Sequence, residues 1–219
     1  MGVKRPPSGA TLRPMATRVA TTAAPQMEWT GDPEADALIA RDPLALLIGF
    51  CLDQQITVEK AFLGPLDIQR RLGTLDAREL AAIDSGRFEA AFRQRPAIHR
   101  FPASMAARVH ALCAVVANDY GNDAAAIWDG TRDAAELLRR LRALPGFGEM
   151  KARIVLGVVA KQLGVKPKGW AELAPDYPTL ADVHTVAERE HYQAGKRAYK
   201  AAMRAQADGS PPRPTKRGG

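Results

Sequence analysis

A chain of 219 residues, 46% of them hydrophobic, can bury the core of one domain or two small lobes, which excludes wholesale disorder. Only Cys51 and Cys113 are present, so neither a disulfide scaffold nor a four-cysteine zinc or iron–sulfur site can be built, and a reducing compartment fits best. The formal charge of +7 and a pI near 9.7 point to an anionic partner such as nucleic acid, depending on where the charge lies.

Residues 1–27 contain Lys4, Arg5, Arg13 and Arg18 and no acid, are rich in Pro, Ala and Thr, and show no apolar periodicity. They are expected to form a disordered basic extension. Thr and Arg interrupt every apolar run that a secretory signal would need, and Pro6 stands where a myristoylation signal has Ser or Thr. Met15 and Met27 are alternative starts. Residues 28–207 read as one helical domain, with period-3.6 apolar spacing and few alternating runs. Asp42-Pro43 marks a helix start, acid as N-cap and Pro in the first turn, followed by the stripe Leu44, Leu47, Ile48, Cys51 and Leu52. Shorter helices are expected over Leu63–Leu72, Asp76–Ile83 and Gly86–Gln94. Ser104 is the expected cap of a longer helix that ends at Gly121. Helices over Asp133–Leu144 and Glu149–Leu163 meet across Pro145-Gly146-Phe147-Gly148, and a last one runs from Val183 to Ala205. Residues 208–219 form a second expected disordered basic tail. No run approaches the roughly 20 apolar residues of a membrane span, so a soluble, cytoplasmic protein is expected, nucleoid-associated if the source is prokaryotic.

The two ends, residues 1–27 at +4 and 196–219 at +6, carry more than the whole net charge and leave −3 for residues 28–195. Within that acidic middle, residues 137–170 hold eight bases against Glu149 alone, which is +7. The segment Leu144–Ala152 lies inside this basic stretch. Its two glycines permit positive φ and keep side chains away from an approaching group. The free N–H groups opening the next helix, at the positive dipole end, make a phosphate site. Phe147 is expected to plug the space between the helices and Ala152 to let them cross closely, whereas a bare Gly-X-Gly turn would also suit an ordinary αα-hairpin.

Leu144–Ala152 resembles the helix-hairpin-helix of the HhH-GPD superfamily of base-excision DNA glycosylases. Cys51-Leu52-Asp53-Gln54-Gln55-Ile56-Thr57-Val58 is similar to the superfamily's early glutamine-containing helix, and the order and the roughly 90-residue spacing of the two segments agree. The resemblance, over about residues 32–185, implies an all-α, two-lobed HhH-GPD fold with the hairpin at 133–163. It implies hydrolysis of the N-glycosidic bond of a flipped, damaged base in double-stranded DNA, by a monomer without metal or organic cofactor. Gln54, Gln55, Gly146, Phe147, Gly148, Lys151 and Arg153 are the implied DNA contacts. Amides suit Gln54 and Gln55 for replacing the hydrogen bonds of a base that leaves the stack, although helix-end polarity explains them equally simply.

The superfamily's catalytic Asp is expected 18 residues after Met150, where this chain has Lys168. Asp182, in Ala181-Asp182-Val183-His184, is then the implied catalytic carboxylate, with Asp176 second; Asp182 also reads as a helix N-cap. Met150 fills the position of the Schiff-base lysine of bifunctional members, so the implied enzyme is monofunctional. Lys151, turned by about 100° from that position, is expected to meet phosphate instead. Trp170, Phe101, His99 and Met150 are candidate pocket residues, and a cation on the hairpin carbonyls stays open. The competing reading is a non-catalytic DNA-binding or lesion-sensing protein, supported by the displaced Asp.

Overall fold

A computed structural model describes residues 27–207; of the expected disordered extensions, 1–27 and 208–219, all but Met27 lies outside the described residues. The described chain is helical, with one isolated backbone bridge between Asp133 and Lys168 and no strand. The expectation of an all-α fold holds at that level.

Helices α1 (Pro33–Arg41) and α2 (Pro43–Leu52) begin in the same way. Asp32 accepts from the N–H groups of Glu34 and Ala35, Asp42 from those of Leu44 and Ala45, and a proline occupies the first turn of each. All of Leu44–Leu52 is buried, which makes α2 the axis of the molecule, packed on α1, on α3 (Val58–Leu72) and on α6 (Pro102–Asp119). Two glycines set the α2–α3 approach. A Cβ on Gly49 would lie 2.3 Å from the Phe62 ring, and one on Gly64 2.3 Å from Leu52. Beside them Trp29, Phe50 and Phe62 meet edge to face, with centroids 4.8–6.0 Å apart.

Helices α4 (Ala77–Ala82) and α5 (Ser85–Arg93) pack on α6. Helices α7 (Ala134–Ala143) and α8 (Glu149–Lys161) form the hairpin, against which the short α9 (Trp170–Leu173) lies. After a 3-10 turn at Leu180–Asp182 the chain enters α10 (Val186–Ala207). The start of the described chain closes on this last part. The Trp29 indole donates to the Val183 carbonyl at 2.8 Å, and Arg189 donates to the Trp29 carbonyl at 3.0 Å.

Several boundaries differ from expectation. Met27 is buried in the core, so the domain begins at least one residue before 28. Helix α3 starts at Val58, capped by Thr57, and not at Leu63, because Pro65 is accommodated within the helix. Ser104 does not cap α6: Pro102 already occupies the first turn, and the Ser104 hydroxyl donates back to the Phe101 carbonyl at 3.3 Å. Helix α10 starts at Val186, because Thr185 and Glu188 cap it reciprocally. Among the described residues no helix is long and apolar enough to cross a membrane.

Candidate nucleic-acid interface

The hairpin turn takes its shape from Gly146. Its φ of +87° is glycine territory, and a Cβ there would fall 2.6 Å from the Arg108 side chain and 3.2 Å from the Cys51 sulfur. Phe147 is buried as the expected plug, and Ala152 is fully buried. Gly148 caps α8 without a side chain, and a methyl group placed on it would have nothing within 4 Å, which leaves the opening N–H groups of the helix facing clear space. Glu149, in that first turn, is paired with Arg142 at 3.0 Å.

The glutamine-containing segment lies directly against this turn. Cys51, at the end of α2, donates its thiol to the Pro145 carbonyl at 3.7 Å. Burial pushes that thiol up to about 11, against the opposing pull of Lys151 and Arg108, so it remains a neutral donor. Beyond Cys51 the chain makes a tight turn through Asp53 and Gln54. Arg108 donates to the Gln54 amide oxygen at 2.7 Å, and the Gln54 amide nitrogen donates to the Cys51 carbonyl at 2.9 Å. Gln55 is exposed with φ +59°, a left-handed conformation that side chains seldom adopt.

His99 ties this turn to a second loop. Its Nδ1 accepts from the Phe101 backbone N–H at 3.0 Å, so the ring proton is on Nε2, which donates to the Gln54 carbonyl at 2.9 Å. Phe101 stands 41% exposed beside it, with the Arg100 guanidinium 4.7 Å from its ring. Met150 and Tyr177 are exposed as well, the tyrosine hydroxyl donating to the methionine sulfur at 2.7 Å. Met150, whose sequence position suits a pocket wall or the core equally, is therefore at the surface.

Lys151 departs from expectation. Its ammonium does not reach outward toward phosphate: Nζ is buried, has no hydrogen-bond partner, and lies 5.6 Å from the Phe147 ring centre. The rotation that turns Met150 out to solvent turns the next residue in toward α2. Burial holds this amine below the usual lysine range, with Cys51 and Asp53 pulling the other way. Arg153 is half-buried and donates to the Leu173 carbonyl at 2.7 Å, which pins α9 to α8.

The two expected carboxylates have different settings. Asp182 closes a capping box with Thr179 through one oxygen, 2.9 Å from the Thr179 N–H, and meets Lys161 at 2.5 Å through the other. Burial alone would raise its pKa, but Lys161 and the Thr179 bonds outweigh it and hold the carboxyl low. The capping role is real, though for the 3-10 turn and not for α10. Asp176 is exposed next to Tyr177, nearer the Met150 end of α8. Lys168 is exposed, and its carbonyl accepts from the Ala134 N–H at 2.9 Å. Trp170 sits on α9 beside Lys166, and His184 is exposed.

Asp53 is not among the residues that the sequence singles out. It is half-buried and caps α2 through its backbone N–H, 3.0 Å from the Gly49 carbonyl. It lies within electrostatic reach of both Lys151 and Tyr192. Its place just before two glutamines was the available signal. A separate cavity, lined by Asp42, Gln69, Asp76 and Asn122, lies at the opposite end of α2; its aspartates serve as helix N-caps.

Compared with known proteins, the chain matches no family model, no curated protein and no solved structure.

Proposed function

We propose that this chain is a helix-hairpin-helix DNA glycosylase of the HhH-GPD type, which flips a damaged base from double-stranded DNA and hydrolyses its N-glycosidic bond. The observation that carries the reading is the contact between the glutamine turn and the glycine hairpin, more than 90 residues apart in sequence and joined by Cys51, Pro145, Gln54 and Arg108. The N–H groups that open α8 hold a backbone phosphate. Gln55, exposed next to them, offers its amide to the partner of a base that has left the stack, whereas the Gln54 amide is held by Arg108 and the Cys51 carbonyl and shapes the turn. Exposed Phe101, with Arg100 against its ring, supplies a stacking surface on the same glutamine turn through His99.

The enzyme is monofunctional in this reading, because Met150 stands at the lyase lysine's position. Base release from duplexes carrying uracil, alkylated or oxidised bases, measured without added metal, tests it. Release from at least one substrate, leaving an intact strand with an abasic site, is the expected result. Lysine at position 168, where the superfamily has its Asp, and the full engagement of both Asp182 oxygens favour a second reading, a non-catalytic lesion-binding protein. Binding across the whole panel with no base released would select it.

A further inference from the structure

Asp53, Asp176 and Asp182 differ in what else they do. Asp182 is committed on both oxygens, to Lys161 and to Thr179. Lys161 is ten residues beyond Lys151, about 15 Å further along α8. Asp176 is exposed, next to Tyr177 in the chain. Asp53 is attached to the glutamine turn itself, and among the described residues its carboxylate accepts no hydrogen bond and makes no close ion pair. It is half-buried beside an amine that is buried and lacks a hydrogen-bond partner. A buried amine left without a hydrogen-bond partner is costly to the fold, and Asp53 is the carboxylate of the glutamine turn within its electrostatic reach that no other described group engages.

We propose that the Asp53 carboxylate acts at the sugar of the flipped nucleotide. The proposal rests on the glycosylase reading of this interface. Gln55 fills the vacated base position, so Asp53, on the same tight turn, faces the sugar to which that base was attached. As the C1′–N bond breaks, its electron pair leaves with the base and positive charge develops at C1′ and the ring oxygen. The negative carboxylate stabilises that charge. Water then forms the new C1′–O bond, Asp53 accepts the proton that water releases, and that proton returns to the departing base nitrogen. The sum is hydrolysis, with no other reactant.

The test uses duplexes with one abasic-site analogue, either a cationic pyrrolidine or a neutral tetrahydrofuran, bound by the full chain at fixed ionic strength. The lesion need not be known. Wild type is expected to prefer the cationic duplex by at least about tenfold, as for a mimic of the charged transition state. Asp53→Asn is expected to bring the two affinities to parity or to reverse them, because Lys151 remains, while tetrahydrofuran binding and the melting temperature stay unchanged. The substitution keeps the backbone N–H that caps α2, and Asp53→Glu, which keeps the charge, should retain the preference. Asp182→Asn and Asp176→Asn should retain it too. A preference that survives in Asp53→Asn, or one missing from wild type, overturns the proposal. Failure of the glycosylase reading looks different: a charge preference that depends on Asp53, with no base released from any lesion duplex, keeps Asp53 at the sugar and removes the hydrolysis.

Discussion

Gln55 holds a left-handed backbone at φ +59°, a conformation that costs a residue with a Cβ about 1–2 kcal/mol. Nothing in the fold requires a glutamine there, since the side chain is exposed. Gln55→Gly is therefore expected to stabilise the protein by about 1 kcal/mol in denaturant unfolding while weakening its binding to a duplex with an abasic site. A variant that gains stability and loses no affinity would remove Gln55 from the interface. His99 has the opposite balance, a buried ring whose two nitrogens hold two loops. Burial lowers its pKa, against the bonds to Gln54 and Leu52, so folding favours the neutral ring. Its contribution is complete above the ordinary histidine value of 6.5 and declines as pH falls below it. Protonation would also turn Nδ1 into a donor facing the Phe101 N–H. Stability should thus fall between pH 7 and pH 5 more steeply in wild type than in His99→Gln, and equal slopes would contradict the assignment.

Glycines at different places in the helices do different work. In α2, Gly49 lets α3 approach, and the Cβ of Gly49→Ala would meet the Phe62 ring at 2.3 Å. The aromatic cluster of Trp29, Phe50 and Phe62 leaves that ring little room, and a loss of about 1–3 kcal/mol is expected with no specific effect on the interface. Gly148 opens α8 with an ordinary φ of −81° and no neighbour to offend. Its replacement by alanine should cost at most about 1 kcal/mol, as a poorer N-cap, yet weaken duplex binding strongly, because the new methyl occupies the space in front of the N–H groups. Fluorescence-monitored unfolding and duplex titration on the same two variants separate packing from phosphate contact. Asp-Pro helix starts were legible from sequence, since capping depends on neighbours in the chain. The Asp32-Pro33 start of α1 carries the same signal as Asp42-Pro43. Ser104 misled because Pro102, two residues earlier, already set the first turn.

For the whole molecule, charge gives the expected binding law. Lys151 is buried, so it should release no counterion when DNA binds, and Lys151→Met is expected to leave the slope of log K against log salt unchanged. Removing residues 208–219, with Arg213, Lys216 and Arg217, should flatten that slope by up to about 2.7, if all three bases contact phosphate. A slope that falls in Lys151→Met instead would place the amine at the surface. The sequence by itself determined the helical class, most helix starts, the glycine hairpin and the segregation of charge, because these follow from periodicity, capping and composition along a few adjacent residues. Only the tertiary structure decided which way Lys151 turns, that Lys161 engages Asp182, and that Asp53 stands near a buried amine. Each of those depends on groups far apart in the chain, brought together by the packing of the helices around the hairpin, and no local pattern encodes that meeting.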